Sequence, residues 1–146
     1  MIRPAGFESN PLTAASNRFQ GKSASSPVEQ HATALREFDG LVGVLRDAGV
    51  EVIVIDDTPE PHTPDAIFPN NWISMHADGR VVLYPMEAEN RRTERRRDIV
   101  NDLAGKYGRQ VTEVVDLSCH EDSGHYLEGT GSMVLDRLNR VAYACV

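Results

Sequence analysis

The sequence predicts a mixed α/β fold (α+β in the order of its elements), and three observations carry that expectation. Residues 28–48 place apolar side chains at helical spacing. Residues 51–56 read EVIVID, a β-branched run that fits a strand. Between 66 and 117, two apolar runs joined by Asp78-Gly79 are followed by a helical stretch and then a further apolar run. That succession is a ββαβ unit.

The elements follow in order. Residues 2–7 are short and mixed and predict a strand. Residues 8–27 are rich in Ser, Asn, Ala and Gly, with Pro11 and Pro27; they predict a long loop, a feature often tied to function in compact domains. From Val28 to Ala48 the residues Val28, Ala32, Leu35, Phe38, Leu41, Val42, Leu45 and Ala48 share one face of a helix, which Gly49 stops. Glu51–Asp56 fits a buried strand. Pro59, Pro61 and Pro64 keep 57–64 irregular. Ala66–Met75 and Arg80–Tyr84 form a hairpin, because an Asp-Gly pair between apolar runs is a strong turn signal. Residues 91–106 predict a helix, Val111–Leu117 a strand, and 118–126 a polar connection. Residues 131–146 predict a second hairpin turning near Arg137–Asn139, its last strand running to Val146. The order β-α-β, ββαβ, ββ has the rhythm of a repeating ββαβ module cut short.

Composition narrows the class. The chain has 146 residues, 40% hydrophobic and 25% charged, which suits one globular domain and excludes disorder. Eleven Gly, 8 Pro and 2 Cys exclude collagen-like and disulfide-scaffold classes. The net charge of −7 is poorly suited to nucleic acid or an anionic membrane. No apolar run approaches the roughly 20 residues of a membrane span, and the start holds no hydrophobic signal core. Cys119 and Cys145 make no disulfide framework, so a reduced, cytoplasmic protein is expected.

Four constellations could carry chemistry. In residues 63–72, TPDAIFPNNW, Asp65, Asn70 and Asn71 flank an apolar run beside the only Trp; turn chemistry and a polar binding site both fit. In 127–132, LEGTGS, Glu128 precedes glycines that permit close backbone approach. A carboxylate at a strand end can accept N–H bonds from a cationic substrate, and a surface Glu beside a turn fits as well. Residues 119–125, CHEDSGH, gather thiol, imidazole and carboxylate groups, but no second cluster completes a tetrahedral set, so no metal is expected. Finally, Arg91, Arg92, Arg95, Arg96 and Arg97 read as the solvated face of a helix, or as a fork that grips a carboxylate.

Taken together these segments resemble the amidinotransferase / arginine deiminase superfamily, the guanidine-modifying enzymes of the pentein fold. They are most like its citrulline-utilisation hydrolases, with dimethylarginine dimethylaminohydrolases as more distant relatives. The resemblance rests on MIRP at 1–4, TPDAIFPNNW at 63–72, VVLYPMEAENRRTERR at 81–96 and LEGTGSMVLDR at 127–137. It covers nearly the whole chain.

The resemblance implies a pentein αβ-propeller of ββαβ modules, with residues 1–146 as the N-terminal part of that single domain, about two of its five modules. It implies a hydrolase acting on the guanidino or ureido group of arginine- or citrulline-like amino acids through a Cys covalent intermediate. The nucleophilic Cys and the catalytic His are expected downstream, since neither Cys119 nor Cys145 matches the one and no histidine matches the other. Glu128 matches the catalytic carboxylate. Asp65 matches a substrate-pocket acid, Asn70 and Asn71 stand where relatives carry an acidic pair, and Arg91 matches an arginine that binds the substrate's α-carboxylate. A small-molecule amino acid is the expected partner, without cofactor, metal, nucleic acid or membrane. An amidinotransferase, and a non-catalytic binding module that self-associates into a homo-oligomer, remain open.

Overall fold

A computed structural model describes residues 1–144 except 15, 16, 18, 19, 22 and 23. The chain divides into two compact units, Met1–Phe68 and Pro69–Val146.

The first unit holds strand β1 (Ile2–Arg3), helix α1 (Pro27–Asp47) and strand β2 (Ile55–Asp56), with β1 and β2 paired in parallel. Helix α1 begins at Pro27, one residue before the expected Val28. Ser26 caps it, Glu29 reaches back to complete a capping box, and Pro27 sits in the first turn. Its buried residues are Ala34, Phe38 and Val42, spaced at i, i+4 and i+8, a narrower stripe than the apolar face read from the sequence. Val28 and Leu41 of that face are exposed. Arg3 ties the strand to the helix through a two-pronged pair with Asp39, both contacts at 2.9 Å. The EVIVID run is a correction: only Ile55–Asp56 forms a ladder, and none of residues 51–56 is buried. A two-stranded sheet covers one edge of each strand, so the β-branched run has little to pack against.

The cap offers a stability test. Replacing Ser26 by Ala should lower stability by about 1 kcal/mol in urea denaturation. The Glu29 carboxyl is held below its ordinary value by the Ser26 backbone N–H and then its hydroxyl. Its share of the cap is therefore present above the ordinary glutamate range and is lost as pH falls through the lowered value.

The second unit carries strands β3 (Ile73–Met75), β4 (Arg80–Leu83) and β5 (Glu113–Asp116), helices α2 (Glu89–Arg92), α3 (Arg97–Gly105) and α4 (Gly129–Ser132), and strands β6 (Met133–Asp136) and β7 (Val141–Ala144). Strands β3 and β4 form the expected antiparallel hairpin around Asp78-Gly79, with Ile73 opposite Leu83. The crossover through α3 then lays β5 parallel to β4, Val81 opposite Val114. This is the ββαβ unit. Val81 and Leu83 alternate inward on β4, and Ile99, Val100 and Leu103 form the buried face of α3.

Three expectations change. Residues 66–72 turn instead of extending, because Pro69 opens a short 3-10 turn at Pro69–Asn71. The helix read over 91–106 breaks at 93–96, leaving α2 and α3. Residues 129–132 make one helical turn before β6. Strands β6 and β7 form the second hairpin, pairing Met133 with Ala144; Cys145 and Val146, where the last strand was expected to continue, lie outside the described residues. Val134 and Tyr143 on this hairpin are exposed. Among the described residues, no helix is long and apolar enough to cross a membrane.

Candidate active site

Glu128 is the centre of the candidate site in the second unit. Leu127 is anchored by its N–H to the Pro85 carbonyl at 3.0 Å. The next turn closes on Glu128 itself, whose carbonyl accepts from the Gly131 and Ser132 N–H groups at 2.8 and 3.0 Å. Two glycines let another segment press against this turn. A Cβ on Gly129 would stand 2.3 Å from the Asn70 carbonyl oxygen, and one on Gly131 would stand 2.8 Å from the Asn71 side-chain nitrogen. The Gly-x-Gly spacing thus permits the approach that brings Asn71 to Glu128.

Glu128 Oε2 accepts from Asn71 Nδ2 at 3.2 Å and from Arg91 Nη1 at 3.3 Å. Its Oε1 accepts a longer contact, 3.4 Å, from the Glu87 N–H. The Glu128 side chain is 20% exposed and so stays reachable from solvent. Asn70 is exposed and donates to Thr130 Oγ1 at 3.1 Å. Thus Asn70, Asn71, Arg91 and Glu128 come together at one turn.

The arginine run is not one solvated face. Arg91 is 4% exposed, because the helix stops at Arg92 and a turn at Glu94 carries both side chains inward. Arg91 Nε and Nη2 donate to the two carboxylate oxygens of Glu94 at 3.1 and 3.0 Å. Its guanidinium edge is therefore occupied by a protein carboxylate. Arg92 donates to the Met86 carbonyl at 3.0 Å. Arg95 meets Glu121, whose Oε1 also accepts the Met86 N–H at 2.6 Å. Arg96 and Arg97 pair with Asp98 and Asp116.

In the CHEDSGH segment Glu121 is paired with arginine and Cys119 is exposed. Among the described residues, no group of three His, Cys, Asp or Glu side chains could hold a metal ion.

Asp65 belongs to the first unit. Its Oδ2 accepts from Asn10 Nδ2 at 2.7 Å, and Asn10 is 1% exposed. Both line a cleft of about 780 Å³ together with Phe7, Gln30, Thr33 and Phe38. Sequence reading missed Asn10 and Glu94. The signal for Glu94 was its position three residues after Arg91, the spacing at which a helical turn joins opposite charges.

The ββαβ unit accords with the pentein fold, and the family model that the chain matches places it in the pentein, guanidine-modifying superfamily. The chain belongs to the family described as N,N dimethylarginine dimethylhydrolase, eukaryotic, whose profile matches residues 3–146. No curated protein matches the chain. Three crystal structures of AgrE are similar in fold. Unliganded AgrE aligns with TM-score 0.58 and 24% identity over 99% of this chain and 18% of its own. AgrE with ornithine and NAD+ gives 0.60 and 23%, over 99% of this chain and 19% of its own. A mutant AgrE with L-arginine gives 0.58 and 24%, with the same coverage of 99% and 19%. The chain thus spans less than a fifth of the length of these structures.

Proposed function

We propose that residues 1–146 form the N-terminal part of a pentein propeller that hydrolyses the guanidino or ureido group of an arginine- or citrulline-like amino acid. The observation that carries this is Glu128, a solvent-reachable carboxylate oriented by Asn71 and Arg91. In this reading a cysteine thiolate from the remainder of the propeller attacks the terminal carbon. A histidine there protonates the leaving ammonia or amine, and water then cleaves the carbon–sulfur bond. Glu128 holds the substrate nitrogens. Asn70 and Asn71 bind substrate beside Glu128, and Asp65, in the first unit, is a further proposed substrate-binding acid.

A neutral amide pair suits a neutral ureido group, whose oxygen needs a donor, better than a cationic guanidinium, which favours a carboxylate. Citrulline-like substrates are therefore preferred. Ammonia release from citrulline and arginine, measured on the completed propeller (residues 1–146 joined to the modules with the cysteine and histidine), tests this. Citrulline should be the better substrate, and a strong arginine preference would contradict the reading. Asn70→Asp, which leaves the Asn71 bond to Glu128 in place, should raise the arginine-to-citrulline ratio of kcat/KM by about tenfold, the difference between a neutral and a charge-assisted hydrogen bond.

A further inference from the structure

The glutamate of the CHEDSGH segment has no part in the function proposed above. We infer that Glu121 is a positioning residue for that reaction: with Arg92 and Arg95 it sets the backbone of residues 84–87, and that backbone sets Glu128. This rests on Glu128 being the reaction's carboxylate.

Residues 84–88 follow β4 and precede α2, and they belong to no strand or helix. This irregular stretch meets the Glu128 turn at three successive residues. The Pro85 carbonyl accepts the Leu127 N–H at 3.0 Å. The Glu87 N–H reaches Glu128 Oε1 at 3.4 Å. The Tyr84 ring lies against Gly129, where a Cβ would stand 3.2 Å from the ring's Cδ2. Met86, between these contacts, is fully buried.

A stretch without a ladder needs other partners for its backbone groups. Here side chains supply them. The Tyr84 carbonyl accepts from Arg95 Nη1 at 3.4 Å, the Met86 carbonyl from Arg92 Nε at 3.0 Å, and the Glu87 carbonyl from Arg92 Nη2 at 3.3 Å. The Met86 N–H donates to Glu121 Oε1 at 2.6 Å.

Glu121 joins these contacts into one unit. Its carboxylate takes Arg95 in a two-pronged fork, and Arg92 Nε lies 3.5 Å from its Oε2. The Glu121 side chain is 9% exposed, so water weakens these charge-assisted contacts little. The β4–β5 pairing brings it there. The Leu117 N–H continues the ladder to the Leu83 carbonyl at 2.9 Å, and the 3-10 turn Ser118–Ser123 that carries Glu121 follows at once. The strand that leads into residues 84–87 and the strand that leads to Glu121 are thus neighbours.

The experiment uses the completed propeller, unchanged and as Glu121→Gln, Arg92→Gln and Glu128→Gln, and with each of the first two combined with Glu128→Gln. Ammonia release from citrulline is referred to the folded fraction measured by circular dichroism. With Glu128 in place, Glu121→Gln should lower kcat about tenfold or more, the scale on which a displaced group costs rate, with KM within about threefold. Arg92→Gln should act in the same direction. Its side chain is 29% exposed, so it gives the readout where Glu121→Gln does not fold. In the Glu128→Gln background the same changes should alter kcat by less than about twofold, because the group they position is already disabled.

Equal fold losses in the two backgrounds would overturn the inference, since Glu121 would then act on the scaffold alone. So would an unchanged kcat in the folded single variant. Where the Glu128→Gln rate falls below detection, the single variant decides: lowered kcat at near-constant KM supports the inference, and raised KM at unchanged kcat overturns it. An unchanged propeller that releases no ammonia overturns the proposed function beneath it, an outcome distinct from all of these.

Discussion

Glu128→Gln in the completed propeller should lower kcat by about 10²–10⁴-fold, the range expected when a positioned acid–base group is removed. Glutamine keeps the size of the side chain and can still accept one of the two bonds now made to Oε2. It loses the charge, and with it the strengthened hydrogen bonds to a substrate's N–H groups. The stability midpoint should move little by comparison, because the side chain is partly exposed and Arg91 retains its fork with Glu94. The two readouts separate the roles. A large fall in kcat with a nearly unchanged unfolding midpoint places Glu128 in the chemistry, whereas near-normal turnover removes it from the mechanism.

Gly129→Ala is the second large effect, and it acts on the scaffold. The added Cβ would meet the Asn70 carbonyl oxygen at 2.3 Å and the Asn71 carbonyl oxygen at 3.1 Å, and Gly129 adopts φ of 35°. Backbone on both sides has no rotamer with which to yield, so the two turns must separate. A destabilisation of about 3 kcal/mol is expected in urea denaturation, at the upper end of overpacking costs. Gly131→Ala gives the contrast. Its nearest neighbour is the end of the Asn71 side chain, at 2.8 Å, which can rotate away. That variant should stay nearly as stable while Asn71 loses its contact with Glu128, lowering turnover of citrulline without unfolding the protein.

Long periodic segments were legible in the sequence. Helix α1 was placed within one residue because its apolar side chains recur at helical spacing and Gly49 marks its end, while the capping box of Ser26 and Glu29 is added by the structure. The β3–β4 hairpin followed from Asp78-Gly79, and the ββαβ order from the succession of apolar runs. What was not legible depended on partners distant in sequence. The arginine run has the composition of a solvated helix face. Only the pairing of Arg91 with Glu94 and Glu128, and of Arg95 with Glu121, accounts for its break and its burial. The same limit applies to EVIVID, whose β-branched composition fits a core strand while the structure pairs only Ile55 and Asp56.

Within the site, motif reading marked Asn70, Asn71, Arg91 and Glu128, and the structure gathers them at one turn. It could not mark Asn10, which lies in a loop 55 residues from Asp65 and meets it only in the folded chain. Nor could it tell that the fork of Arg91 is already filled.

In the proposed function these residues supply the carboxylate part of a site whose nucleophile lies in the remainder of the propeller. Ammonia release from citrulline tests it most directly, measured for residues 1–146 alone, for the completed propeller, and for the propeller with its supplied cysteine replaced by serine. Release is expected from the completed propeller only. Release by residues 1–146 alone, or by the serine form at the full rate, would contradict it.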